Sequence, residues 1–142
     1  MSTASLPDQP VILGFDPGRQ KCGLAIMGLD RRLYYHEVVA AESAVMQIEQ
    51  LRRDFPVSLL VMGNQTSSAD WKQRLSELAN PLRLVLIDER YSTLEARDRY
   101  WQMYPPTGLT RLLPSGLRQP PRPVDDIVAI LLIERYLERL TG

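Results

Sequence analysis

The sequence predicts a single α/β domain built on a mixed five-stranded sheet. Two observations support this fold class. Three strand-like apolar runs follow one another near the start of the chain with only short turns between them, and apolar runs then alternate with amphipathic stretches. The chain has 142 residues, of which 44% are hydrophobic, which is enough for one core and leaves little room for two.

The first half of the sheet is predicted to be an antiparallel meander. Residues 11–15 (VILGF), 22–27 (CGLAIM) and 33–39 each have the apolar, β-branched or aromatic character of a strand. The turns between them are short, and the first contains Pro and Gly, which favour a chain reversal. Residues 1–10 are polar and rich in Ser and Pro, which predicts a flexible tail before a domain over residues 11–142.

The second half alternates helices with strands. Helices are predicted at about 42–54 and 71–79, and the continuous apolar runs 57–62 and 82–87 suit strands of a parallel pair. Ser92-Thr-Leu-Glu95 has the pattern of a capping box, which predicts a third helix through about Trp101. A proline-rich loop over residues 102–123 then leads to a last helix at about 124–140, which is apolar on nearly every side in its first half.

Acidic residues fall where these elements end or begin. Asp16 ends the first strand, Glu89 follows the last strand, and Asp125 begins the last helix. If the first and last strands lay side by side, the carboxyl-end edge of the sheet would bring the three together. Converging carboxylates repel one another unless a cation lies between them, and oxygen ligands suit Mg²⁺ or Mn²⁺, with two ions expected for phosphodiester cleavage. Asp126 is either a fourth metal ligand or, as we prefer, an acid that favours the positive end of the helix dipole.

Three segments together resemble one family. Residues 16–25 (DPGRQKCGLA) resemble the first-strand motif of the YqgF-type branch of RuvC-like nucleases. Residues 88–96 (DERYSTLEA) resemble the D-E-R-x-S/T-T-x-x-A block of that family, and residues 124–136 resemble its terminal helix. The segments occur in the family order, and the resemblance extends over residues 11–137.

The resemblance implies an RNase H-like fold, in which three antiparallel strands and then two parallel strands form a sheet flanked by helices. It also implies a metal-dependent nuclease for structured nucleic acid, with Asp16, Glu89 and Asp125 as catalytic acids. Two roles are associated with the family: trimming the precursor of small-subunit ribosomal RNA and resolving Holliday junctions. The chain departs from the family pattern at Gln20, after Gly63 and in the longer proline-rich loop. These departures bear on the choice of substrate more than on the chemistry.

Six basic residues are candidates for phosphate contacts near the acids. Each alone is better explained as a solvated surface charge, but together they could form a phosphate-binding rim beside an acidic centre. The set is Arg19, Lys21, Arg90, Arg111, Arg118 and Arg122. The formal net charge of zero argues against a strongly basic, non-specific nucleic-acid coat.

The composition argues against several other classes of protein. The single Cys22 cannot form an intramolecular disulfide or a zinc cluster, and His36, the only histidine, is expected to be an ordinary strand residue. With no secretory signal and no apolar run long enough to span a bilayer, we expect a cytoplasmic protein with no membrane partner.

Two alternatives stay open. One is an RNase H-like protein that binds nucleic acid, or acts as a scaffold, without catalysis. The other is a sugar-kinase or actin-like ATPase, but such proteins need two domains around a cleft. A junction resolvase would be expected to act as a homodimer, because two strands must be cut symmetrically.

Overall fold

A five-stranded sheet runs through the molecule with two helices on each face. The computed structural model describes residues 7–65, 68–78 and 80–141. The strands are β1 (Val11–Asp16), β2 (Lys21–Gly28), β3 (Leu33–Ala40), β4 (Val57–Gly63) and β5 (Arg83–Ile87). The helices are α1 (Ala44–Asp54), α2 (Ser68–Ser76), α3 (Ser92–Met103) and α4 (Asp125–Thr141), and short 3-10 turns lie at Ala41–Ser43, Gly108–Leu112 and Ser115–Leu117.

The strand order across the sheet is β3-β2-β1-β4-β5. Strands β1, β2 and β3 pair antiparallel, whereas β4 is parallel to β1 and β5 is parallel to β4. This confirms the predicted mixed sheet of three antiparallel strands followed by two parallel ones.

The expectation that the first and last strands are neighbours is wrong, because β4 lies between them. The difference follows from apolar burial. The last five residues of β4 are all buried, whereas in β5 only Ile87 is buried. The more apolar strand therefore takes the interior position, and β5 forms an edge of the sheet.

Alternate side chains of the strands build two cores. On one face Leu13, Phe15 and Met62 pack against α1 and α2. On the other face Ile12 and Val61 pack against α3 and α4, and the first half of α4 is almost completely buried. Because side chains alternate with a period of two, Asp16 shares the α4 face with Ile12.

The start of α3 differs from the prediction. The capping box is wrong: the residue before the helix is Tyr91, in a left-handed conformation with φ 63°, and no side chain caps the helix. Ser92 is the first helical residue, and its backbone N–H donates to the Glu89 carbonyl at 3.0 Å. The Glu95 carboxylate accepts a hydrogen bond from Arg135 of α4 instead, at 2.6 Å.

The ends of the chain and the proline-rich loop complete the fold. Residues 1–6 of the predicted tail lie outside the described residues, and residues 7–10 form bends and irregular chain before β1. Helix α3 extends to Met103, so the proline-rich loop begins later than predicted and contains two of the 3-10 turns. None of the helices in the described segments has the length and apolar character needed to cross a bilayer.

Candidate active site

The three acids at the element ends come together beyond the carboxyl ends of β1 and β5. Asp16 is the last residue of β1, Glu89 follows β5 by two residues, and Asp125 is the first residue of α4. The carboxyl groups of Glu89 and Asp125 both lie close enough to Asp16 to raise its pKa. Glu89 is only 6% exposed, so at least one of these charges is taken almost fully out of water.

Gly63 explains how Glu89 reaches Asp16 although β4 separates their strands. Gly63 is the last residue of β4 and pairs with Ile87 of β5. A Cβ atom at Gly63 would overlap the Glu89 carboxylate, so the missing side chain leaves the space that this carboxylate fills. The backbone N–H of Gln65 donates to Glu89 Oε1 at 3.0 Å and fixes it there.

A second glycine brings the start of α4 onto the sheet. Gly23 of β2 pairs with Asp16 across the β1–β2 ladder. A Cβ atom at Gly23 would overlap the carbonyl oxygen of Asp125, so only glycine permits this close approach of the helix backbone. The result is that Asp125 lies beside Asp16, as the sequence predicts for a helix packed over the strand end.

The acid cluster, which we define as Asp16, Glu89 and Asp125, has no directly paired positive charge among the described residues. Burial, followed by repulsion from the other two acids, raises the pKa of Asp16 to about 8. Burial also raises the pKa of Glu89, despite the Gln65 hydrogen bond, and the pKa of Asp125, despite the nearby charge of Lys21. No ion pair joins any of the three to a basic side chain of the described segments.

The carboxyl groups of the cluster are of the chemical type that binds a hard divalent cation. In the described ranges 7–65, 68–78 and 80–141, no group of three or more acidic, histidine or cysteine side chains is arranged so that it could hold a metal ion. The acids instead lie around Asp16, whose pKa of about 8 leaves it protonated near neutral pH. A cation such as Mg²⁺ or Mn²⁺ would replace that proton and supply the missing charge to carboxylate oxygens of the type it prefers.

Asp126, the other predicted ligand, lies in a separate ion-paired cluster. It is 2% exposed, and its Oδ2 lies 2.6 Å from His36 Nδ1 of β3. Arg122 donates to both of its carboxylate oxygens, at 3.0 and 3.3 Å. Burial alone would raise the pKa of Asp126, but the contacts with His36 and Arg122 outweigh it and lower that pKa. Because its oxygens are already engaged, we leave Asp126 out of the proposed ligand set.

The six basic candidates divide into two groups. Arg19, Lys21 and Arg90 are exposed and lie in the β1–β2 turn, at the start of β2 and directly after Glu89. By contrast, Arg118 donates to the carbonyl groups of Leu113 and Arg111 within the proline-rich loop, and Arg122 is paired with Asp126. Arg111 is exposed in that loop. By their positions in the chain, Arg19, Lys21 and Arg90 therefore lie at the edge of the sheet that carries the acid cluster, whereas Arg118 and Arg122 are engaged elsewhere.

Sequence reasoning missed Gly63 and Arg135 as positioning residues. Arg135 of α4 donates to the Asp88 carbonyl at 2.7 Å and to Glu95 at 2.6 Å, which ties α4 to the segment that carries Glu89. Its charge also acts to lower the pKa of Glu89. The signal for Gly63 was its place at the end of a largely apolar strand, where a glycine has no side chain to add to the core.

Comparison by sequence finds no relatives: no family model matches the chain, and no curated protein matches it. Comparison by structure does find similar proteins. RuvC of Thermus thermophilus in complex with a Holliday junction substrate is 20% identical over 94% of this chain and 97% of that one, with a TM-score of 0.54. A further Thermus thermophilus RuvC structure is 18% identical over 93% and 96% of the two chains, with a TM-score of 0.53.

A viral enzyme gives the same match. The Holliday junction resolvase of fowlpox virus is 17% identical over 92% of this chain and 99% of that one, with a TM-score of 0.57. At these identities the comparison establishes the fold. The chain therefore has the RNase H-like fold in the form found in RuvC-type Holliday junction resolvases.

Proposed function

We propose that this protein is a divalent-metal-dependent nuclease that hydrolyses phosphodiester bonds in structured nucleic acid. The observation that carries the proposal is the acid cluster. Three carboxyl groups from β1, the segment after β5 and the start of α4 meet at one edge of an RNase H-like sheet. Burying acids together without a paired cation is costly, and a metal-binding role accounts for that cost.

The proposed roles follow from the position of each residue. Asp16, Glu89 and Asp125 would hold Mg²⁺ or Mn²⁺, with two ions expected. When bound, such ions would supply activation of a water molecule and neutralisation of charge on the leaving oxygen. Gly63 and the Gln65 backbone N–H keep Glu89 turned toward Asp16. Lys21 and Arg90, exposed beside the acids, contact the phosphates flanking the scissile bond.

Two substrate classes are candidates within this proposal. The solved neighbours are Holliday junction resolvases, which favours branched DNA. The resemblance of residues 88–96 to the YqgF-type block favours the precursor of small-subunit ribosomal RNA. Junction resolution would require a homodimer, because each protomer has one acid cluster. The cytoplasmic location expected from the sequence belongs to the proposal as well.

The test is a cleavage assay on three labelled substrates: single-stranded RNA, duplex DNA and a four-way junction. Each is incubated with Mg²⁺, with Mn²⁺ or with EDTA. The variants Asp16→Asn and Asp125→Asn are compared with Asp98→Asn, an exposed acid of α3 that serves as the matched control. We expect metal-dependent cutting that the first two substitutions abolish and the control retains.

The competing function is a catalytically silent RNase H-like protein that binds nucleic acid. It would give binding without cutting of any substrate, and nucleic-acid affinity unchanged in Asp16→Asn. That result would contradict the nuclease proposal, because intact catalytic acids would then have no measurable consequence.

A further inference from the structure

A basic pocket lies at the β5 edge of the sheet, on the opposite edge from β3 and the Arg122–Asp126 pair. We call it the β5-edge pocket. Its volume is about 420 Å³ and it is open to solvent. Its lining residues are Ile87, Asp88, Arg90, Tyr91, Arg135 and Arg139. Its basic side chains come from two places: the segment that carries Glu89 and the second half of α4.

This pocket continues into a second one that contains a residue of the acid cluster. The neighbouring pocket, of about 370 Å³, is lined by Glu89 and by Asn64 and Gln65. The two pockets share Asp88, Arg90 and Tyr91 as walls. An extended ligand that lies at Glu89 can therefore follow the surface directly into the β5-edge pocket.

The charges in the β5-edge pocket favour an anion. Arg135 is held by the Asp88 carbonyl and the Glu95 carboxylate, so it is a fixed part of the wall. Arg90 and Arg139 form no ion pair with any carboxylate of the described segments. Among the side chains that line the pocket, three are arginines and one, Asp88, is acidic, so the lining itself carries net positive charge.

Tyr91 gives the pocket an aromatic wall. Its side chain is exposed, with 70% of the residue surface accessible, although a bulky residue rarely has the left-handed φ of 63° found here. The sharp turn at Tyr91 directs the chain into α3 and leaves the ring between the two pockets. An exposed ring beside guanidinium groups is the combination that stacks a base and holds its phosphate.

We propose that the β5-edge pocket binds the nucleic-acid strand on one side of the cleavage point. Arg90 and Arg139 contact its phosphates, and Tyr91 stacks on a base. The strand would then leave the acid cluster along α4 and β5 rather than toward Arg118 and Arg122, whose guanidinium groups are engaged within the protein. This inference rests on the proposed function, since it assigns the path of the substrate of that same site.

The test measures binding of the full chain to fluorescent nucleic acids: a short single-stranded DNA, the RNA of the same sequence and a four-way junction. Arg139→Gln and Arg90→Gln are each expected to weaken binding about threefold to tenfold at moderate salt and to reduce the salt slope by about one. Arg97→Gln, which removes an exposed charge of α3 outside the pocket, is the matched control and should bind as the wild type does.

Tyr91→Asn separates stacking from charge. Asparagine tolerates the left-handed backbone, so the turn is preserved while the ring is removed. We expect a several-fold weaker complex with the single-stranded probes and an unchanged salt slope. A melting curve of the Tyr91→Asn variant checks that it is folded, and Tyr91→Phe, which keeps the ring, should bind as the wild type does.

The outcomes distinguish this inference from the proposed function. Arginine variants that bind every probe as tightly as Arg97→Gln would overturn the β5-edge pocket even if the wild type cuts nucleic acid. A wild type that never cuts, but loses affinity in these variants, would contradict the nuclease and support the binding path.

Discussion

Asp125 and Asp126 are adjacent at the start of α4, yet they lie in opposite environments. Asp125 lies against Asp16, forms no ion pair with a base of the described segments, and burial raises its pKa in spite of the nearby Lys21. Asp126 is held by His36 and Arg122, and these partners lower its pKa in spite of burial. Two adjacent positions of the helix therefore hold one carboxylate without an ion-paired base and one that is paired with both His36 and Arg122.

The difference indicates which acid serves stability and which serves chemistry. A compensated buried carboxylate adds little net stability, but removing it is costly because its buried partners are left without a counter-charge. A crowd of uncompensated carboxylates weakens the folded state and is retained where a cation is meant to enter. Substitutions in the acid cluster and in the Asp126 ion pair test this difference separately.

Asp16→Asn is expected to lower the cleavage rate at least about a thousandfold, because it removes a charged ligand from the centre of the cluster. The same change should raise the free energy of unfolding in EDTA at neutral pH by on the order of 1–2 kcal/mol, since folding no longer requires this buried carboxyl group to take up a proton. Cleavage rates and chemical denaturation measure the two effects. Loss of activity together with loss of stability would mean that Asp16 is a structural residue.

Asp126→Ala is expected to lower the free energy of unfolding by about 2–4 kcal/mol, because His36 and Arg122 lose their shared partner. Asp125→Ala should change it little or raise it. Urea denaturation of the two variants under the same conditions makes the comparison. Equal destabilisation by both substitutions would show that the two aspartates do not differ as described.

Gly63→Ala is expected to reduce cleavage about tenfold to a hundredfold, since its methyl group would occupy the space of the Glu89 carboxylate. The matched control is Gly116→Ala in the proline-rich loop, where a Cβ atom would have nothing within 4 Å. Metal titration of both variants should show that Gly63→Ala binds metal more weakly than Gly116→Ala. Wild-type activity in Gly63→Ala would show that the missing side chain at Gly63 is not what lets Glu89 reach Asp16 past β4.

The smallest expected effect is the pH dependence of stability without metal. The Asp16 pKa rises from 3.8 to about 8 on folding, so between these values the folded chain keeps a proton that the unfolded chain loses. Stability in EDTA should therefore fall as pH rises from about 4 to about 8, by at most about 1.4 kcal/mol per pH unit. Asp16→Asn should flatten this part of the profile, and a wild-type profile that is already flat would contradict the raised pKa.

Most of the fold followed from local patterns in the sequence. The number and order of strands, the mixed sheet and the buried last helix depend on apolar periodicity and turn residues, which are local properties. The neighbour of β1 was misassigned because pairing depends on which strand is most buried, and apolar runs 57–62 and 82–87 look alike until their burial is known. The capping box failed because the left-handed turn at Tyr91 has no sequence signature of glycine or asparagine.

The sequence indicated the acids of the candidate site but not the residues that position them or pair with their neighbours. Asp16, Glu89 and Asp125 stand at element ends, which sequence can locate. The partners of Asp126 could not be predicted, because His36 is 90 residues away in β3 and meets it only in the folded chain. The same applies to Arg135, whose role depends on the packing of α4 against the segment after β5.

The most direct test of the acid cluster is Mn²⁺ binding to the purified chain, followed by the paramagnetic signal of the free ion. The wild type should bind Mn²⁺ with release of protons, Asp16→Asn and Asp125→Asn should lose that binding, and Asp126→Asn should retain it if the variant stays folded. Binding that survives in Asp16→Asn, or that is absent from the wild type, would contradict the assignment of these acids as a metal site.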